Sequence, residues 1–478
     1  MESKASRIPR KVRTSGRRTQ RPAAKVRVGR AKPDDIVAFS VLCVPASGAT
    51  LQELRRGLSL KTVRQFQPDE DTVRRVMERL WALGFDVVDG PGPVVAAQGT
   101  VQRFAEVFNV KLVKRTITRR LPGSRRALRE KSIGLSDRAT IRSPAALPGA
   151  LLVTVARPPK LTGTSIPPGI SGRHMHLPGD IAQLMRASAT HRRQLPDGDR
   201  ATGGGVTVAV IDGGFADHPF LAEHDYRITK VPTVEAPDPS KGGTHGPAML
   251  AGLFACAPDV EVLAVRYDQN PLAALNEVSN HDDARIVCMS WGYDHSGLDA
   301  LMSDPDELLT LEIKILTMIA NGVTFVAAAG NEGAHNFPAM MPDVIAVGGV
   351  TIDVDDTLLA WSGASSFTSA IYAGRKVPDV CGIAALALLP FRESDAAPDW
   401  IPIPGGTSLA TAQVAGIAAL LLQKKPTLTP HQIRGHLMDT ATDVKKGSTF
   451  TPHKAKAGGD LATGAGLVNA LDAWNDVT

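Results

Sequence analysis

Four residues that lie far apart in a chain of 478 are of the types that combine in acyl-transfer chemistry: Asp212, His245, Asn331 and Ser408. Ser408 follows two glycines and Thr407 at the head of the apolar run SLATAQVAGIAALLLQ, which Pro426 closes. A serine hydroxyl is a poor nucleophile until an imidazole removes its proton, and the imidazole needs a carboxylate to fix its tautomer and stabilise its cation. His245 stands behind two glycines in GGTHGPAMLAGLFA, and Asp212 ends the apolar run VTVAVI. A developing oxyanion needs two donors. The backbone N–H of Ser408 at a helix head supplies one, and the amide of Asn331 in TFVAAAGNEG supplies the other. Singly, each residue has a plainer reading: Asp212 and Asn331 as turn formers, His245 as a satisfied structural group, Ser408 as an N-cap.

These residues need a scaffold that gathers them. VTVAVI (206–211), VEVLAV (260–265), RIVCMS (285–290), VTFVAAA (323–329) and VIAVGG (344–349) are continuous apolar runs of buried-strand length, with helical segments such as DELLTLEIKILTMIAN between some of them. The pattern predicts an α/β domain with a parallel sheet covered on both faces, whose chemistry lies at the carboxyl ends of the strands.

The ordered blocks VAVIDGG, THG, SWG, AAAGNEG and GGTSLATAQVAG resemble the subtilisin-like serine proteases, and TGAGLVNALDAW is similar to that family's closing helix. Spacings of 33, 86 and 77 residues between the four candidates suit the family's order, and the likeness covers about 170–478. The resemblance implies a subtilisin-like parallel sheet flanked by helices, with Asp212 orienting His245, His245 as general base and then acid, Ser408 as nucleophile and Asn331 as oxyanion donor. It also implies that Ser290, Trp291 and Gly292 line the peptide cleft, although Trp291 reads equally as core. His218 in FADHPF is a rival imidazole, but Pro219 marks a loop there. Departures from the family pattern stand at Pro247, Leu250-Ala251, Ala412 and Gln413.

Ahead of this region the spacing predicts a small α+β unit at 34–115. IVAFSVLCV reads as a strand, DEDTVRRVMERLWALG as a helix, FDVVDGPGPVVAAQGT as two strands about a Pro-Gly turn, and Thr100 as the cap of a second helix. RRVMERLWALGFDVV, AAQGTVQRFAEVFNVKL and GRKVPDV are similar to the sedolisin group, whose activation domain is of the pro-kumamolisin type. The sedolisin catalytic helix carries a Glu and an Asp, and the helix after His245 has neither. The resemblance therefore implies a subtilisin-type site behind a sedolisin-like prodomain, which acts as an intramolecular inhibitor until cut.

Charge divides the chain. Residues 1–32 hold 12 Lys or Arg against Glu2, a net of +11, so the remainder sums to −5. A disordered basic tail is expected at 1–33, either merely solvated, or contacting nucleic acid or an acidic surface, or serving as a transit peptide. Between Lys114 and Arg142 lie ten basic residues and two acids, which predicts an exposed linker and processing segment within 116–169 or just before His174. No apolar stretch reaches bilayer length, no secretory h-region follows the basic start, and the four cysteines have neither disulfide nor metal spacing. A cytoplasmic protein is expected.

The chemistry calls for no cofactor, and Asp353, Asp355 and Asp356 read as a solvated turn rather than a calcium site. The expected activity is hydrolysis of polypeptides through an acyl-enzyme by a prodomain-inhibited zymogen. With a neutral imidazole as base it should rise through about pH 6 to 7. The alternative is a catalytically silent binding protein of the same fold, whose basic tail makes the contact.

Overall fold

The computed structural model describes residues 25–478 except 89, 121–126, 137–139, 160–174, 242, 244, 297–304, 386, 395–396 and 404. Residues 1–24 of the basic tail, and the processing site considered before His174, lie outside the described residues.

Residues 25–155 form β1 (Lys25–Arg30), β2 (Ile36–Cys43), α1 (Leu51–Gly57), α2 (Glu70–Ala82), β3 (Asp86–Val88), β4 (Val94–Thr100), α3 (Val101–Phe108), β5 (Leu112–Arg120), β6 (Ala127–Leu135), β7 (Ile141–Arg142) and β8 (Ala150–Val155). A 3-10 turn spans Val63–Phe66. Local chemistry sets the helix starts. Thr50 and Glu53 make a capping box on α1, Asp69 accepts from the Thr72 N–H on α2, and Thr100 accepts from the Arg103 N–H on α3. Val76, Met77 and Leu80 of α2 and Phe104 and Phe108 of α3 bury one face each against Phe39 of β2 and Phe85.

Five strands pair in the order β3-β4-β2-β8-β7, and β1-β5-β6 form a second, antiparallel sheet. The stretch expected to be a linker at 116–169 therefore carries sheet strands over its described part: β5 and β6 pair along their full length, and β8 lies beside β2 inside the five-stranded sheet. A boundary at 115 cuts β5, and the end of the expected tail is β1. Density of Lys and Arg hid the ribbon, because successive residues of a strand face opposite sides and cations can ride an exposed face. The signal for β8 was present in ALLVTV, which is buried at every position.

The remainder begins with β9 (Met175–His176), α4 (Gly179–Leu184), α5 (Ala187–Thr190), β10 (Thr207–Asp212), α6 (Pro219–Glu223), β11 (Ile228–Val231), α7 (His245–Cys256), β12 (Glu261–Arg266) and α8 (Pro271–Val278). It continues through β13 (Ala284–Met289), β14 (Tyr293–Asp294), α9 (Pro305–Ala320), β15 (Thr324–Ala328), β16 (Asn336–Phe337), β17 (Ile345–Ile352), β18 (Leu358–Ala360), β19 (Phe367–Thr368), β20 (Lys376–Val377) and β21 (Val380–Ile383). The last elements are β22 (Ala387–Ser394), β23 (Ala397–Ile403), α10 (Thr407–Lys424), α11 (Pro430–Asp439), β24 (Lys446–Gly447) and α12 (Ala470–Asp476).

The main sheet runs β11-β12-β10-β13-β15-β17-β18-β24, with β21 on β17. All its pairings are parallel except β17 with β18. After β10 the chain builds β11 and β12 on one side and then crosses to β13 on the other, so β10 sits at a topological switch point. Alternation along β10 feeds two cores. Val208 and Val210 face the core that holds α7 and α10, whereas Ala209 and Ile211 face the one that holds α8 and α9.

α7 and α10 touch through glycines. A Cβ at Gly252 would stand 2.6 Å from Leu409 Cδ1, and one at Gly416 would stand 2.7 Å from the Leu253 carbonyl oxygen. Two of the departures noted in the sequence, Pro247 and Gln413, have local reasons. Pro247 lies in the first turn of α7, where a missing N–H costs no intrahelical bond. Gln413 is fully buried, accepts from the Ile383 N–H and donates to the Ile383 carbonyl, each at 2.9 Å, and so fastens α10 to β21. Gln413→Ala strands both backbone groups, so urea unfolding should show a loss of about 2–5 kcal/mol.

Candidate active site

Asp212 ends β10 at the carboxyl edge of the sheet and is wholly buried. The Gly213 N–H donates to its Oδ1 at 2.7 Å, and its Oδ2 stands 2.7 Å from Nδ1 of His245, the first residue of α7. Two glycines permit that approach. A Cβ at Gly246 would fall 2.2 Å from the Gly214 carbonyl oxygen, and one at Gly243, whose φ is +43°, would fall 2.5 Å from the Gly214 nitrogen. The loop after β10 and the first turn of α7 are thus in backbone contact. His245 keeps about a fifth of its side chain exposed, so the far side of the ring reaches solvent while its near side is fixed.

Ser408 is the second residue of α10, a helix buried along almost its whole length. Backbone N–H groups in a first helical turn have no intrahelical acceptor and carry the positive end of the helix dipole. Asn331 follows β15 and is 2% exposed. Its Oδ1 accepts from the Thr407 N–H at 3.0 Å and the Thr407 hydroxyl at 3.1 Å, which orients the amide nitrogen away from Thr407. A Cβ built on Gly406 would lie 3.8 Å from the Ser408 nitrogen and 3.9 Å from Asn331 Nδ2. Both nitrogens therefore border the space that the absent side chain leaves, a cradle beside Gly406. The Ser408 hydroxyl gives its single proton to the Ser290 carbonyl at 2.8 Å, so here that proton is not shared with His245. Rotation about χ1 to another staggered position re-aims it.

Ser290, Trp291 and Gly292 follow β13 at the same edge. The Ser290 hydroxyl donates back to the Ser408 carbonyl at 3.0 Å, a reciprocal clasp on the first turn of α10. The Trp291 side chain belongs to the core rather than the cleft, because it is 1% exposed and its indole N–H donates to the Ile211 carbonyl at 2.8 Å. Only its main chain is left to meet a substrate. Gly292 packs against Asn336 and Phe337 of β16. His218 is buried and caps α6 through Nδ1, which accepts from the Phe220 N–H; His245 alone of the two holds Asp212. Burial pushes the Cys288 thiol, near the Ser290 hydroxyl, up to about 12, which keeps it a neutral packing group.

Sequence reasoning missed Thr407 as the group that aims Asn331, although a hydroxyl beside Ser408 at a helix start was the available cue. It also missed the glycines at 243 and 246 as the reason that acid and imidazole meet. Among the described residues no cluster of three or more His, Cys, Asp or Glu side chains is placed to hold a metal, and Asp353 to Asp356 form the turn between β17 and β18. All four cysteines are buried free thiols. No helix among the described residues is long and apolar enough to cross a membrane.

The site thus sets an acid–imidazole pair at the switch point of a mostly parallel sheet and a serine in the first turn of a central buried helix. The profile of the Subtilase family matches residues 203–465, and the chain belongs to that family of serine peptidases. M-protease of Shouchella clausii (strain KSM-K16) is 28% identical over 302 residues, which cover 62% of this chain and 69% of that protein. Subtilisin of Bacillus pumilus is 31% identical over 291 residues, covering 57% and 94%. Among solved structures, the prenylagaramide maturation protease PagA aligns at a TM-score of 0.41 and 23% identity over 58% of this chain and 96% of that one. The family assignment rests on the profile and the curated relatives.

Proposed function

We propose that this subtilase is an endopeptidase in which Asp212, His245 and Ser408 form the triad and Asn331, with the Ser408 N–H, binds the oxyanion. The 2.7 Å contact between Asp212 and His245 carries the reading, because it leaves Nδ1–H on the acid side and the Nε2 lone pair for a proton. Ser408 Oγ attacks the carbonyl carbon of a polypeptide while Nε2 takes its proton. The tetrahedral oxyanion settles in the cradle beside Gly406, and the imidazolium then protonates the leaving amine. Water repeats the sequence on the acyl-enzyme.

The fluorophosphonate reaction tests this. Purified protein should be labelled on Ser408, and Ser408→Ala should lose the label. Labelling that survives the substitution overturns the assignment, and absence of labelling from the wild-type chain under all conditions favours the silent binding protein. Asn331→Ala removes one of two oxyanion donors and should lower kcat by about 10²–10³-fold with little change in KM, the scale that subtilisin itself sets for this position.

The N-terminal sheet is read as a prodomain. Its strands β2, β4 and β8 share a core with α8 and α9, and beyond β8 the Arg157 carbonyl accepts from the Tyr293 hydroxyl at 2.9 Å, just past Gly292. At Arg157 the chain leaving the sheet thus meets β14, the strand that follows Gly292. This supports a zymogen in which the N-terminal unit covers the cleft until the segment after Arg157 is cut. Removing that unit by limited proteolysis should raise the rate of fluorophosphonate labelling; an unchanged rate overturns the zymogen reading.

A further inference from the structure

The face of α8 and α9 that receives the N-terminal sheet is largely apolar, with neutral polar contacts from Asn276 to the Val94 carbonyl and from Gln67 to the Thr317 hydroxyl. Leu42, Val63, Phe66, Val94, Leu151 and Leu152 pack there with residues of both helices. Lys314, in the middle of α9, lies among them at 1% exposure. Its Nζ donates to the carbonyl of Pro91, a residue of the docked turn, at 2.8 Å. Gly92, next in that turn, comes so close that a Cβ on it would stand 3.8 Å from Nζ. A cavity of about 650 Å³ at the same interface is walled from both sides, by Arg64, Gln67 and Pro91 of the N-terminal unit and by Lys314, His281 and Asp282 of the other, and it leaves Lys314 1% exposed.

A protonated amine has three donors and is strongly hydrated, and here, among the described residues, a single neutral carbonyl meets it. Burial without a counter-ion disfavours its charged form. We propose that Lys314 is a release element: docking of the N-terminal sheet strips water from its amine and expels its proton, so the grip of that sheet slackens as the pH falls toward neutrality. This rests on the reading of the N-terminal unit as a detachable prodomain and concerns how firmly it is held.

The sign follows from linkage. Burial lowers the Lys314 amine to about 7 while the sheet is docked. Once the sheet leaves, the amine regains water and its ordinary value near 10.4. Docking therefore releases a proton between those limits, and affinity rises close to tenfold per pH unit from about 7 to 10 and is flat below 7. Other charged groups face the same space. Arg64 comes from the 3-10 turn and donates to the Ala320 carbonyl, while His281 and Asp282 follow α8. Glu312 on α9 is not part of that lining and accepts from the Tyr372 hydroxyl. Asp89 of the docked turn lies outside the described residues.

The test uses the full chain with Ser408→Ala, which prevents self-cleavage, and compares it with the same chain carrying Lys314→Met, a side chain of similar length without the charge. Amide hydrogen exchange is followed at each pH in peptides covering 63–67 and 90–94, and the ratio of the two chains cancels the intrinsic pH dependence of exchange. The Lys314 chain should exchange at least 100-fold faster at pH 7, and the excess should shrink by about tenfold per pH unit up to pH 9. His281→Gln in both chains should leave that slope unchanged. A ratio of one, a ratio independent of pH, or a slope that vanishes with His281→Gln overturns the inference. Should the slope hold while removal of the N-terminal unit leaves Ser408 labelling unchanged, docking is proton-linked as inferred and only the inhibitory role of the unit falls.

Discussion

Ser408→Ala is expected to lower kcat by on the order of 10⁶-fold, the scale of nucleophile loss in subtilisin. The helix that carries the residue is buried and its first turn is held by Ser290 through the Ser408 carbonyl, a contact that alanine retains. The fold and KM should therefore stay close to those of the parent, and only the attacking oxygen disappears. Residual turnover of about 10³–10⁴ over water should persist from the oxyanion donors and substrate binding. Steady-state kinetics on a peptide anilide, with circular dichroism as the folding control, checks both statements. A loss of less than about tenfold would place the nucleophile elsewhere.

Asp212→Asn should cost about 10⁴-fold in kcat without disturbing the fold. The reason is in the two bonds of the carboxylate. Gly213 N–H donates to Oδ1, so an asparagine would set its carbonyl oxygen there and turn its NH₂ toward Nδ1 of His245. Nδ1 must then accept, the ring proton moves to Nε2, and the nitrogen that should receive the serine proton is already occupied. Kinetics and the imidazole proton resonances report the loss and its cause together. A variant that kept the wild-type rate would show that the tautomer of His245 is immaterial and would remove Asp212 from the triad.

Most of the central architecture was legible because buried parallel strands are continuous apolar runs. VTVAVI, VEVLAV and VTFVAAA each fall within a residue of β10, β12 and β15. The helix cap at Thr100 was legible from its hydroxyl ahead of an amphipathic run. The candidate residues were found by type, order and family likeness, and the structure brings Asp212 to His245 and sets Asn331 against the turn that carries Ser408. What was not legible depends on contacts between distant segments. Nothing in WGY says that Trp291 turns inward to the Ile211 carbonyl, and nothing near Lys314 says that a turn 223 residues earlier will cover it. The basic stretch was misjudged because charge was weighed before alternation, so the pairing of β5 with β6 was lost.

α7 and α10 meet at Gly252 and Gly416 with no room for a methyl group, and the proposed base His245 and nucleophile Ser408 lie in their first turns. The working distance between base and nucleophile is thereby inherited from the interior of the molecule rather than set at its rim. Diversification of the surrounding loops can retune which sequences are accepted and leave the chemistry intact, whereas a single added carbon at either crossing point would detune it from two helical turns away, wherever the substrate binds.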